Sequence, residues 1–137
     1  MTRVYVDMVA DLFHYGHVNF LKQARQFGDR LLVGIHSDEV VEEYKRSPIM
    51  TMQERVDTVS SCRYVDEVIP DAPLIVDRKW IDTHNIDLVV HGDDFLEDMK
   101  QLCYKIPIDL GIFRVVTYTP GVSTTKIMER IKARVDN

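Results

Sequence analysis

Apolar residues along this chain gather in short, nearly unbroken runs that alternate with longer stretches of helical period. The runs fall at 4–9, 31–36, 65–69, 86–91 and 113–119, and each is rich in Val, Ile or Leu. Strands buried on both faces of a parallel sheet have this character, because neither face needs polar positions. Between them the spacing predicts helices at about 17–27, 38–44, 51–61, 76–84 and 96–105, with a last one at 124–135. Gly28-Asp29 has the form of a helix stop, and Ser123 that of an N-cap before Ile127, Ile131 and Val135, which repeat every four residues. Strict βα alternation predicts an α/β fold: a single Rossmann-like domain over 1–137, with a doubly wound, mostly parallel five-stranded sheet and helices on both faces.

In such sheets ligands bind beyond the carboxyl ends of the strands, where strand order reverses. Three polar loops are expected there: Asp11 to His17, Gly92-Asp93-Asp94, and Pro120 to Thr125. The first is the most informative. His14-Tyr15-Gly16-His17 opens a predicted helix, where unpaired N–H groups and the positive end of the helix dipole favour an anion. Two imidazoles spaced by three residues share a helix face and can donate to phosphoryl oxygens, while Gly16 leaves room for close approach. Capping or surface histidines are the bland alternative, and a metal site with Asp11 lacks a further His or Cys ligand. Gly121-Val122-Ser123-Thr124-Thr125 also joins a strand to a helix and can face a second phosphate, or can serve only as a cap. Lys45-Arg46-Ser47-Pro48 is a basic loop, either solvated surface or a cover for a triphosphate.

Composition narrows the field. With 137 residues and a net charge of −5, the chain can build one core but has no general attraction for nucleic acid or anionic membrane, so anion binding must be local. No apolar run approaches the roughly 20 residues of a membrane span, and no signal-peptide pattern opens the chain. Cys62 and Cys103 lack metal-ligand spacing and are expected to be ordinary buried thiols in a reducing cytoplasm.

Taken together, Asp11-Leu12-Phe13-His14-Tyr15-Gly16-His17, Cys62-Arg63-Tyr64-Val65-Asp66-Glu67-Val68, His91-Gly92-Asp93-Asp94 and Gly121-Val122-Ser123-Thr124-Thr125 resemble the cytidylyltransferases of the HxGH nucleotidyltransferase superfamily. The resemblance is greatest to those acting on ethanolamine-phosphate, choline-phosphate and glycerol 3-phosphate. It implies attack of a phosphate or phosphonate acceptor on the α-phosphorus of CTP, with release of pyrophosphate. His14, His17, Lys45 and Arg63 would be the catalytic group. Val9, Ala10, Asp11, Gly16, His91, Gly92, Asp94, Gly121, Val122, Ser123 and Thr124 would bind the nucleotide, Asp94 by reading the cytosine amine. Asp7, Arg55, Trp80 and Tyr118 would stand near the acceptor, and Trp80 with Tyr118 could wall a quaternary ammonium. Mg²⁺ is implied as the companion of CTP, held mainly by phosphates, with Asp11 as the one side chain that could help; a homodimer is implied as well. Two positions depart from the family pattern. Met8 stands where a glycine is usual, and Tyr118 where an arginine is usual, so either the acceptor differs or Arg114 or Arg78 replaces that charge. An adenylyltransferase of the same fold and a non-catalytic nucleotide-binding protein are the alternative readings.

Overall fold

The computed structural model describes residues 1–135. In chain order the elements are β1 (Arg3–Met8), α1 (Tyr15–Arg25), β2 (Arg30–His36), α2 (Asp38–Glu42), α3 (Met52–Ser60), β3 (Glu67–Ala72), α4 (Arg78–Thr83), β4 (Leu88–Gly92), α5 (Glu97–Asp109), β5 (Phe113–Val116) and α6 (Thr124–Val135). The sheet has five strands in the order β3-β2-β1-β4-β5, and every pairing is parallel. The chain builds outward from β1 through β2 to β3, then crosses to the other side of β1 for β4 and β5. That reversal places the loops after β1 and β4 side by side, which is where such sheets open a crevice.

Alternation along the strands divides the core between two faces. Val4 and Val6 of β1 pack with Leu31, Val33 and Ile35 of β2 against Phe20, Leu21 and Ala24 of α1 and Val59 of α3. Tyr5, Leu32, Ile69 and Val89 point the other way, onto Ile81 of α4 and Cys103 and Tyr104 of α5. The α/β, doubly wound expectation therefore holds. Cys103 is buried as expected, whereas Cys62 is only half-buried.

Several boundaries differ from the sequence pattern, each for a local reason. Helix α1 begins two residues early, which makes His14 its N-cap and His17 its third residue. Its C-cap is Gln26, not Gly28. Gly28 is needed because a Cβ there would lie 2.7 Å from the Thr2 carbonyl oxygen. Strand β3 runs past Ile69 through Pro70 to Ala72; as an edge strand it loses no ladder bond to the proline. Strand β5 ends at Val116, so Thr117, Tyr118 and Thr119 turn away from the sheet. Helix α5 extends to Asp109 across a kink at Tyr104 (φ −121°, ψ 16°), with Pro107 opening the second segment. Among the described residues no helix is long and apolar enough to cross a membrane.

Candidate active site

The opening of α1 is built by its histidines. His14 Nδ1 accepts a hydrogen bond from the Gly16 backbone N–H at 3.0 Å. His17 Nδ1 accepts one from the His14 backbone N–H at 3.1 Å, a reciprocal capping arrangement. A backbone N–H can only donate, so each ring is neutral and carries its proton on Nε2. The rings lie 3.9 Å apart, and Phe13 stacks on His17 at 5.3 Å. Gly16 fits because a Cβ would stand 2.8 Å from His14 Cε1. Capping and phosphate donation are thus compatible, one nitrogen of each ring for each task.

Burial, then the charges of His14 and Lys45, pull the His17 pKa from 6.5 to about 3. Burial lowers that of His14 as well. Between those values an unfolded chain protonates His17 and the folded one does not, so the unfolded state binds more protons and stability rises with pH. The contribution is present above about pH 6.5 and is lost as the pH falls below it. Thermal melts at pH 7.5 and 5 should show the lower pH costing about 1–2 kcal/mol, and His17→Gln should flatten the difference.

The crevice holds a cavity of about 510 Å³. Its walls include Asp7, Met8, Val9, Ala10, Asp11 and His17 from the β1 end, His91, Gly92 and Asp94 after β4, and Tyr118, Ser123 and Thr124 after β5. Lys45 and Arg46, from the segment after α2, line it as well. Left-handed backbone at Ala10 (φ 60°) and Leu12 (φ 49°) folds the β1–α1 loop back over it, a conformation that costs about 1 kcal/mol or more per residue. Asp11 holds that loop: its two carboxylate oxygens accept from the Ile49 and Met50 backbone N–H groups, each at 2.9 Å. Thr124 Oγ1 donates to the Asp11 carbonyl at 2.8 Å and so joins the first and last loops. Ser123 Oγ caps α6 by accepting from Lys126 N–H at 3.1 Å. Asp93, beside Asp94, accepts from the Tyr118 backbone N–H at 2.9 Å and sets where the Tyr118 ring lies.

One end of the cavity is acidic and buried. Asp7 Oδ1 accepts from the Tyr104 hydroxyl at 2.5 Å, and its Oδ2 lies 3.4 Å from His36 Nε2. Burial alone would raise the Asp7 pKa. The adjoining His36, the charge of His91 and the Tyr104 hydroxyl outweigh it and hold the carboxyl below its usual value. Cations also line the cavity, with Lys45 Nζ 5.4 Å from the centre of the Tyr44 ring. Lys45 and Arg46 form no ion pair with a carboxylate among the described residues. Burial lowers the Lys45 pKa, against the charges of Asp94 and Asp11.

Not all of the expected residues meet here. Arg55 is fully buried and donates to the Val9 and His36 carbonyls, both at 2.8 Å, and to Asp38 Oδ1 at 2.6 Å. It braces the ends of β1 and β2 and does not reach the cavity. Trp80 packs edge-on against Tyr5 and beside His84, away from the cavity, so it forms no aromatic wall with Tyr118. Arg63, at 5.7 Å from the centre of the Tyr64 ring, lines a separate shallow hollow with Phe13, Val18 and Cys62. His14, Gly16, Gly121 and Val122 support the wall from behind without lining it. Arg114 turns to the Gly111 and Phe113 carbonyls, and Arg78 pairs with Asp82. Neither supplies the charge absent at Tyr118. The sequence reading missed His36, Tyr44 and Tyr104; only His36 carried a signal, as the last residue of a strand at the ligand-binding edge. Among the described residues no three His, Cys, Asp or Glu side chains gather as a metal site. With both Asp11 oxygens held by backbone amides, that carboxylate is committed to the loop.

A parallel α/β sheet whose switch-point crevice joins a histidine-capped helix to a Ser-Thr helix start defines a nucleotide-binding domain of the nucleotidyltransferase type. The chain belongs to the cytidylyltransferase-like family, whose profile matches residues 8–130. Ethanolamine-phosphate cytidylyltransferase from Dictyostelium discoideum is 48% identical over 98% of this chain and 38% of that protein. Choline-phosphate cytidylyltransferase A from Mus musculus is 39% identical over 94% of this chain and 36% of that protein. The chain thus spans well under half the length of these relatives. The crystal structure of a lipopolysaccharide core biosynthesis protein from Thermoplasma volcanium superimposes with a TM-score of 0.73 at 27% identity. It covers 87% of this chain and 98% of that one.

Proposed function

We propose that this chain is a CTP-dependent cytidylyltransferase whose acceptor is an aminoalkyl phosphate. The observation that carries the reading is the set of groups lining the main cavity: a buried carboxylate at Asp7, neutral His17 offering Nε2–H, and Lys45 and Arg46 without a carboxylate ion pair among the described residues. An acceptor with a cation at one end and a phosphate at the other matches these groups, its cation on Asp7 and its phosphate toward His17. An acceptor oxygen attacks the α-phosphorus of CTP, the bond to the β-phosphate oxygen breaks, and pyrophosphate leaves. The His17 Nε2–H at an α-phosphoryl oxygen stabilises the charge that grows there, and Lys45 and Arg46 neutralise the departing pyrophosphate. Asp94 is suited to the cytosine amine, and Ser123 and Thr124 at the start of α6 to the terminal phosphates. The names of the relatives support ethanolamine-phosphate or choline-phosphate as acceptor. Mg²⁺ fits as a companion held by the triphosphate and water, adding charge neutralisation. The family resemblance implies a homodimer, and the shallow hollow around Phe13, Arg63 and Tyr64 is the surface we assign to it.

Pyrophosphate release on mixing the protein with CTP, Mg²⁺ and ethanolamine- or choline-phosphate is the direct test. Release only with ATP, or tight CTP binding without turnover, would overturn it in favour of an adenylyltransferase or a non-catalytic binder. Arg46 is the cation placed to replace the one absent at Tyr118, with only a 4.0 Å contact to Met128 Sδ to hold it otherwise. Arg46→Gln should raise KM for CTP about 10-fold, the worth of one charge-assisted contact. Tyr118→Arg in that background should recover part of the loss, and Arg78→Gln should leave KM unchanged.

A further inference from the structure

At the acidic end of the cavity, two buried polar atoms have no hydrogen-bond partner: Asp7 Oδ2 and His36 Nε2. They face one another at 3.4 Å, with side chains 1% and 6% exposed, and both residues line the cavity. That separation is longer than a charge-assisted hydrogen bond between nitrogen and a carboxylate. The other atoms of the pair are occupied. Tyr104 donates to Asp7 Oδ1, and His36 Nδ1 shares a 2.9 Å hydrogen bond with the Tyr44 hydroxyl. Buried atoms with unused capacity are uncommon unless a ligand completes them.

We propose that His36 is a specificity-determining residue for the acceptor: its Nε2 and the Asp7 carboxylate together take two N–H groups of an acceptor ammonium. The site therefore selects a cation that carries hydrogen over a quaternary one. The proposal rests on the reading of the acceptor as an aminoalkyl phosphate. One nitrogen at hydrogen-bonding distance from both atoms spans a 3.4 Å gap without moving either. Nε2 accepts an N–H of the acceptor only through its lone pair. The proton then sits on Nδ1, where the Tyr44 oxygen accepts it, and Nε2 presents its lone pair to the ligand. Burial, with the nearby Asp7 and Cys103, raises the Tyr44 pKa, so that hydroxyl stays neutral.

A quaternary ammonium has no N–H to offer. Its methyl groups hold the charge away from Asp7 and leave His36 Nε2 unpaired. Such a cation binds best on aromatic faces; the tyrosines beside this pair, Tyr44 and Tyr104, instead aim their hydroxyls at His36 and Asp7. Sites that hydrogen-bond a substrate N–H reject analogues lacking it far more strongly than sites that only match shape.

The test compares kcat/KM for ethanolamine-phosphate and choline-phosphate at saturating CTP. The wild-type protein should prefer the primary amine by about 100-fold. His36→Leu should reduce that preference to under about 5-fold by raising KM for ethanolamine-phosphate, with KM for CTP unchanged. His36→Gln, whose amide oxygen can accept, should restore part of the preference and covers the case in which the leucine variant fails to fold. Tyr44→Phe should fall between wild type and His36→Leu. Equal use of both acceptors, or a preference for the quaternary one, would overturn the proposal and leave cytidylyl transfer standing. An unchanged preference in folded His36→Leu or His36→Gln would do the same. Absence of pyrophosphate with either acceptor would overturn the functional reading, and this proposal with it.

Discussion

Replacing His17 with alanine should lower kcat for pyrophosphate release by about 100- to 1,000-fold while KM for CTP changes only a few-fold. The asymmetry follows from where the ring is and what it carries. Its Nδ1 is occupied by the His14 backbone N–H, so Nε2–H is a fixed donor in the cavity wall. Fixed donors aimed at growing phosphoryl charge act mainly in the transition state, and losing one lowers kcat by about this factor. His17→Ala also leaves the His14 N–H without its acceptor, a loss of about 1 kcal/mol that a melt should register. A drop in kcat far larger than the stability loss explains would support the donor role. A rise in KM for CTP with kcat intact would mean that His17 holds nucleotide equally in ground and transition states, and would refute it.

Replacing Arg55 with methionine should destabilise the fold by about 3–5 kcal/mol and lower Tm by more than about 10 °C. This side chain is fully buried. Its guanidinium ties three points together: the Val9 carbonyl after β1, the His36 carbonyl at the end of β2, and Asp38 at the start of α2. Methionine fills similar volume but leaves two carbonyls without their donor. Arg55→Lys should recover little, because a single ammonium cannot reproduce the planar fork. Asp38→Asn should cost less, about 1–2 kcal/mol, because the amide oxygen can still accept from Arg55 while the counter-charge is lost. Were Arg55 an acceptor ligand, the methionine variant would melt normally and show only a raised acceptor KM. Calorimetry beside steady-state kinetics separates the two outcomes.

Arg55 also shows how the sequence can place a residue correctly in a region and misjudge its task. Its position near the site was legible only through the family resemblance. That it faces inward was not. An arginine beside Met52 and Glu54 on a mostly polar helix has the pattern of a surface residue. Trp80 misled for the opposite reason. A large aromatic near a candidate site suggested a ligand wall, but the face it presents is set by α4 packing on Tyr5.

The sequence by itself determined the fold class and the loop proposed to bind phosphate. Both depend on local order: apolar runs of strand length, helical spacing between them, and two histidines three residues apart at a helix start. Parallel pairing and the switch point follow from that alternation, because each connection must cross the sheet in the same hand. Only the tertiary structure decided which residues gather around Asp7 in the cavity. Asp7, His36, Tyr44 and Tyr104 come from β1, β2, the segment after α2 and a kinked turn of α5. The Tyr104 kink, which brings its hydroxyl to Asp7, leaves no trace in the helical period. Contacts between residues as distant in sequence as Asp7 and Tyr104 arise from how the layers pack, and periodicity along the chain does not encode them.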